Sequence, residues 1–163
     1  MDYRFTIDVS HLVEKVKSHN LLFYPVMIHI FTSVLNQQRS GSQEPFCAAY
    51  NLQRADGTAI MLWSKNESRF PVFFDQYVKK CYRHIVADEQ PEKMPENIVL
   101  VSCLPPADKK LLNSSLPEFY LSAFEIEADR TILPVLVKTE NEILWENFIM
   151  SCQKMCDMFN DWI

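Results

Sequence analysis

The sequence predicts an α/β fold, a two-layer sandwich in which helices cover a mixed β-sheet. Two hydrophobic periods alternate along the chain: period 2 in stretches such as YRFTIDV, and the helical period in stretches such as the apolar stripe that closes the chain. Taken in order, the segments run βα α ββ α β ββ α, the succession of a two-layer sandwich with a mixed sheet. A chain of 163 residues, 48% of them apolar, can bury one normal core, so residues 1–163 are expected to form a single domain.

YRFTIDV alternates apolar and polar residues as a half-buried strand does. Asp8 or Ser10 then caps a helix running to His19, with Leu12, Val13 and Val16 on its inner face. NLLFYP interrupts it, and Pro25 suits the first turn of the next helix, where its missing N–H would have had no partner. That helix, VMIHIFTSVLNQQ, is apolar nearly all round and is expected to be buried. QQRSGSQEP reads as a connection. FCAAYNLQR and TAIMLWSK flank Ala55-Asp56-Gly57, a hairpin turn in which glycine supplies a positive φ. Pro71 opens a helix with Phe73, Phe74, Tyr77, Val78, Cys81 and Ile85 at helical spacing, and the polar ADEQPEKMPE follows. NIVLVSCL is a β-branched strand ending at Pro105-Pro106. FYLSAFEIEA and TILPVLVK form a last hairpin around Asp129-Arg130. Trp145, Phe148, Ile149, Cys152, Met155, Cys156, Phe159 and Trp162 then make one stripe that packs a final helix on the sheet.

The composition excludes several kinds of protein. A net charge of −5 argues against a nucleic-acid partner, because phosphate binding needs a basic surface, and the cluster Lys79, Lys80, Arg83, His84 reads as a solvated helix face. With only Gly41 and Gly57 present, a glycine-rich phosphate loop is excluded. No long uncharged apolar run is present, so no transmembrane helix and no membrane partner are expected. The opening MDYRFTIDVS lacks a basic segment followed by an apolar one, so no secretory signal is expected either. Cys47, Cys81, Cys103, Cys152 and Cys156 contain no CxxC pair; they are expected to be free thiols with no metal, and the protein cytoplasmic.

Three blocks carry a resemblance. KVKSHNLLFYPVMIHIFTSVLN is similar to a lysine-rich helix end leading through N-L-x-F-Y-P into a buried helix. MPENIVLVSCLPP is similar to an L-P-E-N-I-x-x-V-S-x-x-P strand, and TILPVLVK before a helix ending in CDMFNDW to a closing strand and helix. All three, in this order, resemble the chloramphenicol acetyltransferase family, from about Tyr3 to Trp162. The resemblance implies a homotrimer with its substrate site between subunits. It also implies a histidine base, within an H-H-x-x-x-D-G motif after the closing strand, that deprotonates a hydroxyl for attack on the thioester of acetyl-CoA, and a serine that supports the oxyanion.

Here the paired histidines fall on Glu140 and Asn141, with the base position on Asn141, and the Asp-Gly pair falls on Trp145 and Glu146. An asparagine amide nitrogen has no basic lone pair, so it can orient a hydroxyl but not take its proton. The segment that would bear the oxyanion serine reads Ala107-Asp108-Lys109-Lys110, and neither Ser114 nor Ser115 aligns to it. No catalytic residue is therefore assigned. Glu140, Glu142 or Glu146 would serve as a base only if burial raised its pKa; the simpler role is to cap the final helix and favour its dipole. His11, His19, His29 and His84 are expected to be structural or solvated.

The expected function is thus a catalytically inactive relative that binds a small molecule between subunits or acts through a protein partner. Trp63, Phe70, Phe119 and Tyr120 would line an apolar pocket, with Glu140, Asn141 and Ser102 as polar contacts, unless these are simply core or interface residues. No cofactor is expected. Coenzyme A or acetyl-CoA enters only under the alternative, a CoA-dependent O-acetyltransferase with a rearranged site.

Overall fold

A computed structural model of the chain describes residues 2–39, 43–102, 119–122, 132–139 and 141–159. Ten elements follow in the order expected: β1 (Asp2–Asp8), α1 (Ser10–Ser18), α2 (Phe23–Gln38), β2 (Cys47–Gln53), β3 (Ala59–Ser64), α3 (Phe70–Cys81), β4 (Ile98–Ser102), β5 (Phe119–Ser122), β6 (Ile132–Thr139) and α4 (Trp145–Asp157). The α3 helix continues into a π-helical turn, Tyr82–Val86, in which the N–H of Ala87 reaches back five residues to the Tyr82 carbonyl at 2.9 Å.

The strands form one mixed sheet in the order β1-β6-β5-β4-β2-β3. β2 and β4 run parallel, as do β4 and β5; the remaining pairs are antiparallel. Register places Cys47 beside Ile98, Ala48 opposite Ser64, Val99 beside Phe119 and Phe119 opposite Thr139. One end of the sheet therefore gathers the starts of β2, β4 and β5 with the ends of β3 and β6. The β2–β3 hairpin turns at the other end, where Gly57 takes φ +87° and Asp56 Oδ1 accepts from the Thr58 N–H at 2.9 Å.

Strand alternation divides the side chains between two faces. On one, Ile7, Tyr50, Val99, Val101, Leu121, Leu133, Val135 and Val137 join the core made with the helices. α2 runs through this core against β2, β4, α3 and α4, which is why ten of its residues from Pro25 to Leu35 are buried. The expected stripe on α4 buries Phe148, Cys152, Cys156 and Phe159; Trp162 lies outside the described residues. On the opposite face Ala49, Ile98 and Leu100 form a second cluster, with Cys47, Met61, Trp63 and Met94 packed on it.

Local chemistry departs from expectation at two places. Val9, not Asp8 or Ser10, is the N-cap of α1 and makes no side-chain bond. Asp8 is still the last residue of β1, and from there its Oδ1 accepts from the Ser10 N–H at 2.9 Å and hydroxyl at 2.7 Å. In the basic cluster of α3, Lys79 and Arg83 are exposed, but His84 is buried: its Nδ1 lies 3.0 Å from the Glu89 carbonyl, so Nδ1 carries the proton. His84 follows buried Tyr77 by seven residues, two helical turns, and so shares its inward face.

Candidate ligand site at one end of the sheet

The end of the sheet where β2 and β4 begin and β6 finishes is bordered by two clefts, separated by the chain from Gln43 to Phe46. One cleft, of about 230 Å³, is lined by Leu35, Arg39, Phe46, Asn141 and Ile143 among others. The other, of about 480 Å³, lies on the far side and includes Pro45, Cys47, Trp63, Lys65 and Asn97. Asn36 anchors the dividing segment: its Oδ1 accepts from the Phe46 N–H at 2.7 Å and its Nδ2 donates to the Phe46 carbonyl at 3.2 Å. Asn97 ties the same segment to the start of β4, with Nδ2 donating to the Pro45 carbonyl at 2.7 Å.

In the first cleft Asn141 is exposed, directly after β6. Its backbone N–H donates to Thr139 Oγ1 at 3.0 Å, and its Nδ2 stands 3.5 Å from the same oxygen. The hydroxyl thus holds the turn while the carboxamide is offered to the cleft, where it can donate and accept hydrogen bonds but not act as a base. The Arg39 guanidinium lies 3.8 Å from the centre of the Phe46 ring, a cation–π contact that makes one wall. Glu140 lies outside the described residues.

Trp63 lies beside the second cleft. The Lys80 ammonium, reaching round the β3 edge from α3, stands 4.4 Å from the centre of the indole and also bonds the Trp63 carbonyl oxygen. Burial lowers the Lys80 pKa, and burial together with Glu44 raises that of the Cys47 thiol.

The other sequence candidates stand elsewhere. Phe70 is 2% exposed, inside the core beside His29, Phe74 and Phe159. Ser102 lies toward the opposite end of the sheet, buried, its hydroxyl accepting from Asn51 Nδ2 at 3.0 Å. Next to it, the Tyr24 hydroxyl donates to the Val101 carbonyl and accepts from the Asn51 N–H. Phe119 and Tyr120 begin β5, beside Val99 and Leu100. The structure therefore brings Trp63, Phe119 and Asn141 to one end of the sheet, with Trp63 and Asn141 in different clefts, and separates Ser102 and Phe70 from them.

None of the four histidines stands at Asn141. His19 caps the end of α1 with its ring 5.9 Å from Phe159, and His11 lies on α1. His84 closes the turn after α3. His29, on α2, packs 5.5 Å from Phe70 and 5.7 Å from Phe73, and burial lowers its pKa to about 4, so the imidazole is neutral at ordinary pH. It borders a third cavity with Ser33, Asn36 and Gln37 of the same helix. The spacing of these four residues, i, i+4, i+7 and i+8, marks a polar stripe on an otherwise apolar helix; sequence reading passed over that signal, and with it Asn36.

Glu142 is exposed, and Glu146 stands in the first turn of α4 as expected of a residue favouring the helix dipole. Among the described residues no group of His, Cys, Asp and Glu is placed to hold a metal, and no helix is long and apolar enough to cross a membrane.

The six-stranded mixed sheet with its helices packed on one face defines an α/β protein of the acyltransferase fold. The chain is chloramphenicol-acetyltransferase-like. It superposes on a solved chloramphenicol acetyltransferase with a TM-score of 0.68 at 10% identity, over 96% of this chain and 87% of the other. In sequence it is 23% identical to the chloramphenicol acetyltransferase of Staphylococcus aureus over 161 residues, covering 84% of this chain and 76% of the relative. Polyketide synthase associated protein 5 from Mycobacterium tuberculosis also shares the fold, with a TM-score of 0.66 at 10% identity, over 97% of this chain and 50% of that one. No family model matches the chain.

Proposed function

We propose that this chain is a chloramphenicol-acetyltransferase-like protein without acetyl transfer, a cytoplasmic homotrimer that binds a small molecule at its subunit boundaries as a sensor or sequestering protein. The observation that supports it is Asn141, whose backbone N–H donates to Thr139 Oγ1 and whose carboxamide stands beside an open cleft at the position the resemblance gives to the base. A positioned general base contributes about 10² to 10⁴-fold, so its replacement by an amide removes most of the rate while leaving the cleft, which packing makes, in place. No cofactor takes part in this reading. Trimer and ligand site both follow from the resemblance, and the cleft is the local feature in keeping with them.

The test has two arms. Thiol release from acetyl-CoA, with chloramphenicol or simple alcohols as acceptors, should stay at the uncatalysed rate. Release above that rate, lost on Glu142→Gln or Asn141→Ala, would overturn the proposal in favour of a transferase with a rearranged site. Thermal unfolding across a metabolite panel should reveal a ligand that raises the melting temperature as its concentration rises. If no ligand does so, and the chain co-elutes with a second protein on gel filtration, action through a partner replaces ligand binding.

A further inference from the structure

The third cavity lies where the polar stripe of α2 meets the segment between β3 and α3. At about 380 Å³ it falls within the size range of small-molecule sites, and it shares no lining residue with the Asn141 cleft. Ser33 and Gln37 line it from α2, Asn66 and Ser68 from the segment before α3. Ser33 and Asn66 are half-buried, Gln37 and Ser68 exposed, so all four can be reached from solvent.

Both sides of the cavity are held in place. On α2 the His29 ring packs against Phe70 and Phe73, and Asn36 is bonded to Phe46. Across the cavity, Glu67 Oε1 accepts from Gln76 Nε2 of α3 at 3.1 Å. That bond fixes the segment between Asn66 and Ser68, and Glu67 itself is not among the lining residues.

The lining selects the kind of molecule. Ser33, Gln37, Asn66 and Ser68 make no side-chain hydrogen bond among the described residues. Each can both donate and accept. Among the described residues no aspartate, glutamate, lysine or arginine lines the cavity, and burial keeps His29 at its wall neutral. A carboxylate or phosphate would therefore leave water without meeting a counter-charge. Hydroxyl groups also donate and accept, which matches the four side chains, and Met155 offers an apolar contact to the carbon-bound hydrogens of a ring.

We infer that this cavity is a binding site for a small neutral polyhydroxy compound, a monosaccharide or cyclic polyol. The inference goes beyond the Asn141 reading: it needs neither that cleft nor a trimer.

The whole protein is titrated with methyl glucoside, methyl mannoside and myo-inositol, with glucuronate and glucose 6-phosphate as charged counterparts. Side-chain amide signals in nitrogen-resolved NMR report the site; those of Asn66 and Gln37 are assigned by their loss in Asn66→Ala and Gln37→Ala. At least one neutral compound should move both signals in a saturable way, and the charged compounds should bind about tenfold more weakly. Asn66→Ala should weaken binding of that neutral compound by a similar factor.

Asn66 and Gln37 signals unmoved by all three neutral compounds would overturn the proposal, as would equal binding of the charged ones. If Asn66→Ala does not fold, Gln37→Ala, at an exposed position of α2, takes its place. A compound that moves the Asn141 amide and neither of these would overturn this site and leave the Asn141 reading standing. Saturable movement of Asn66 and Gln37 with Asn141 still would support this site whatever becomes of that reading.

Discussion

The carboxamide of Asn36 holds both backbone groups of Phe46, accepting at 2.7 Å and donating at 3.2 Å, and so sets the wall between the two sheet-end clefts from within α2. Loss of these two bonds in Asn36→Ala should cost about 2 kcal/mol. Gln37→Ala, at the exposed neighbouring position, should stay within about 0.5 kcal/mol of the parent. Urea unfolding of the pair measures the difference, and equal stabilities would show that Phe46 is held by other means.

His29 should make stability depend on pH. In the unfolded chain the imidazole takes its proton near 6.5, but in the fold only near 4, because burial disfavours the charged form. Between these values the unfolded state binds the extra proton. Stability is therefore full above about pH 6.5 and falls as the pH drops toward 4, by on the order of 3 kcal/mol. His29→Phe removes the group while keeping an aromatic ring beside Phe70 and Phe73. Its stability should change less over that window, and an unaltered pH slope would contradict the assignment.

Cys152 and Cys156 should resist alkylation in the folded protein. Burial raises both thiols, Cys156 to about 12 and Cys152 well above its ordinary value, so almost no thiolate forms at pH 8. Iodoacetamide at that pH should leave the α4 peptide unmodified natively and label it fully in urea. Rapid native labelling, read by peptide mass spectrometry, would show that α4 opens readily.

Gly57→Ala should destabilise the β2–β3 hairpin by about 1 kcal/mol, because an L-residue is strained at positive φ. Gly57 has φ +87°, and an added Cβ would meet nothing within 4 Å, so the whole cost is conformational. Gly57→Asn should lose less, since asparagine tolerates this region. Melting temperatures in the order Gly, Asn, Ala check this, and a reversed order would mean that the turn rearranges.

Much of the fold is legible in the residues themselves. Alternation in YRFTIDV, the stripe on α4 and the glycine turn of the β2–β3 hairpin are local patterns, and each has its counterpart in the structure. Val9 is the N-cap because β1 runs on through Asp8, and His84 is buried because it follows Tyr77 by two helical turns on the inward face that α3 presents to the core.

The candidate site is less legible. Asn141 and Trp63 are both drawn to one end of the sheet, but Ser102 and Phe70 are carried away from it, one by its distance along β4 and the other by the inward face of α3. Such separations depend on strand register and helix rotation, which bring together residues far apart in sequence.

By itself the sequence determined the alternation of strands and helices, the positive φ at Gly57 and the carboxamide at Asn141, because periodicity and side-chain chemistry are local properties. Only the tertiary structure decided that Asn36 grips Phe46, that Lys80 covers Trp63, and that a chain segment divides the sheet end into two clefts. Those relationships arise from parallel pairing of β2 with β4 and from the packing of α2 and α3, which act over distances that local patterns do not record.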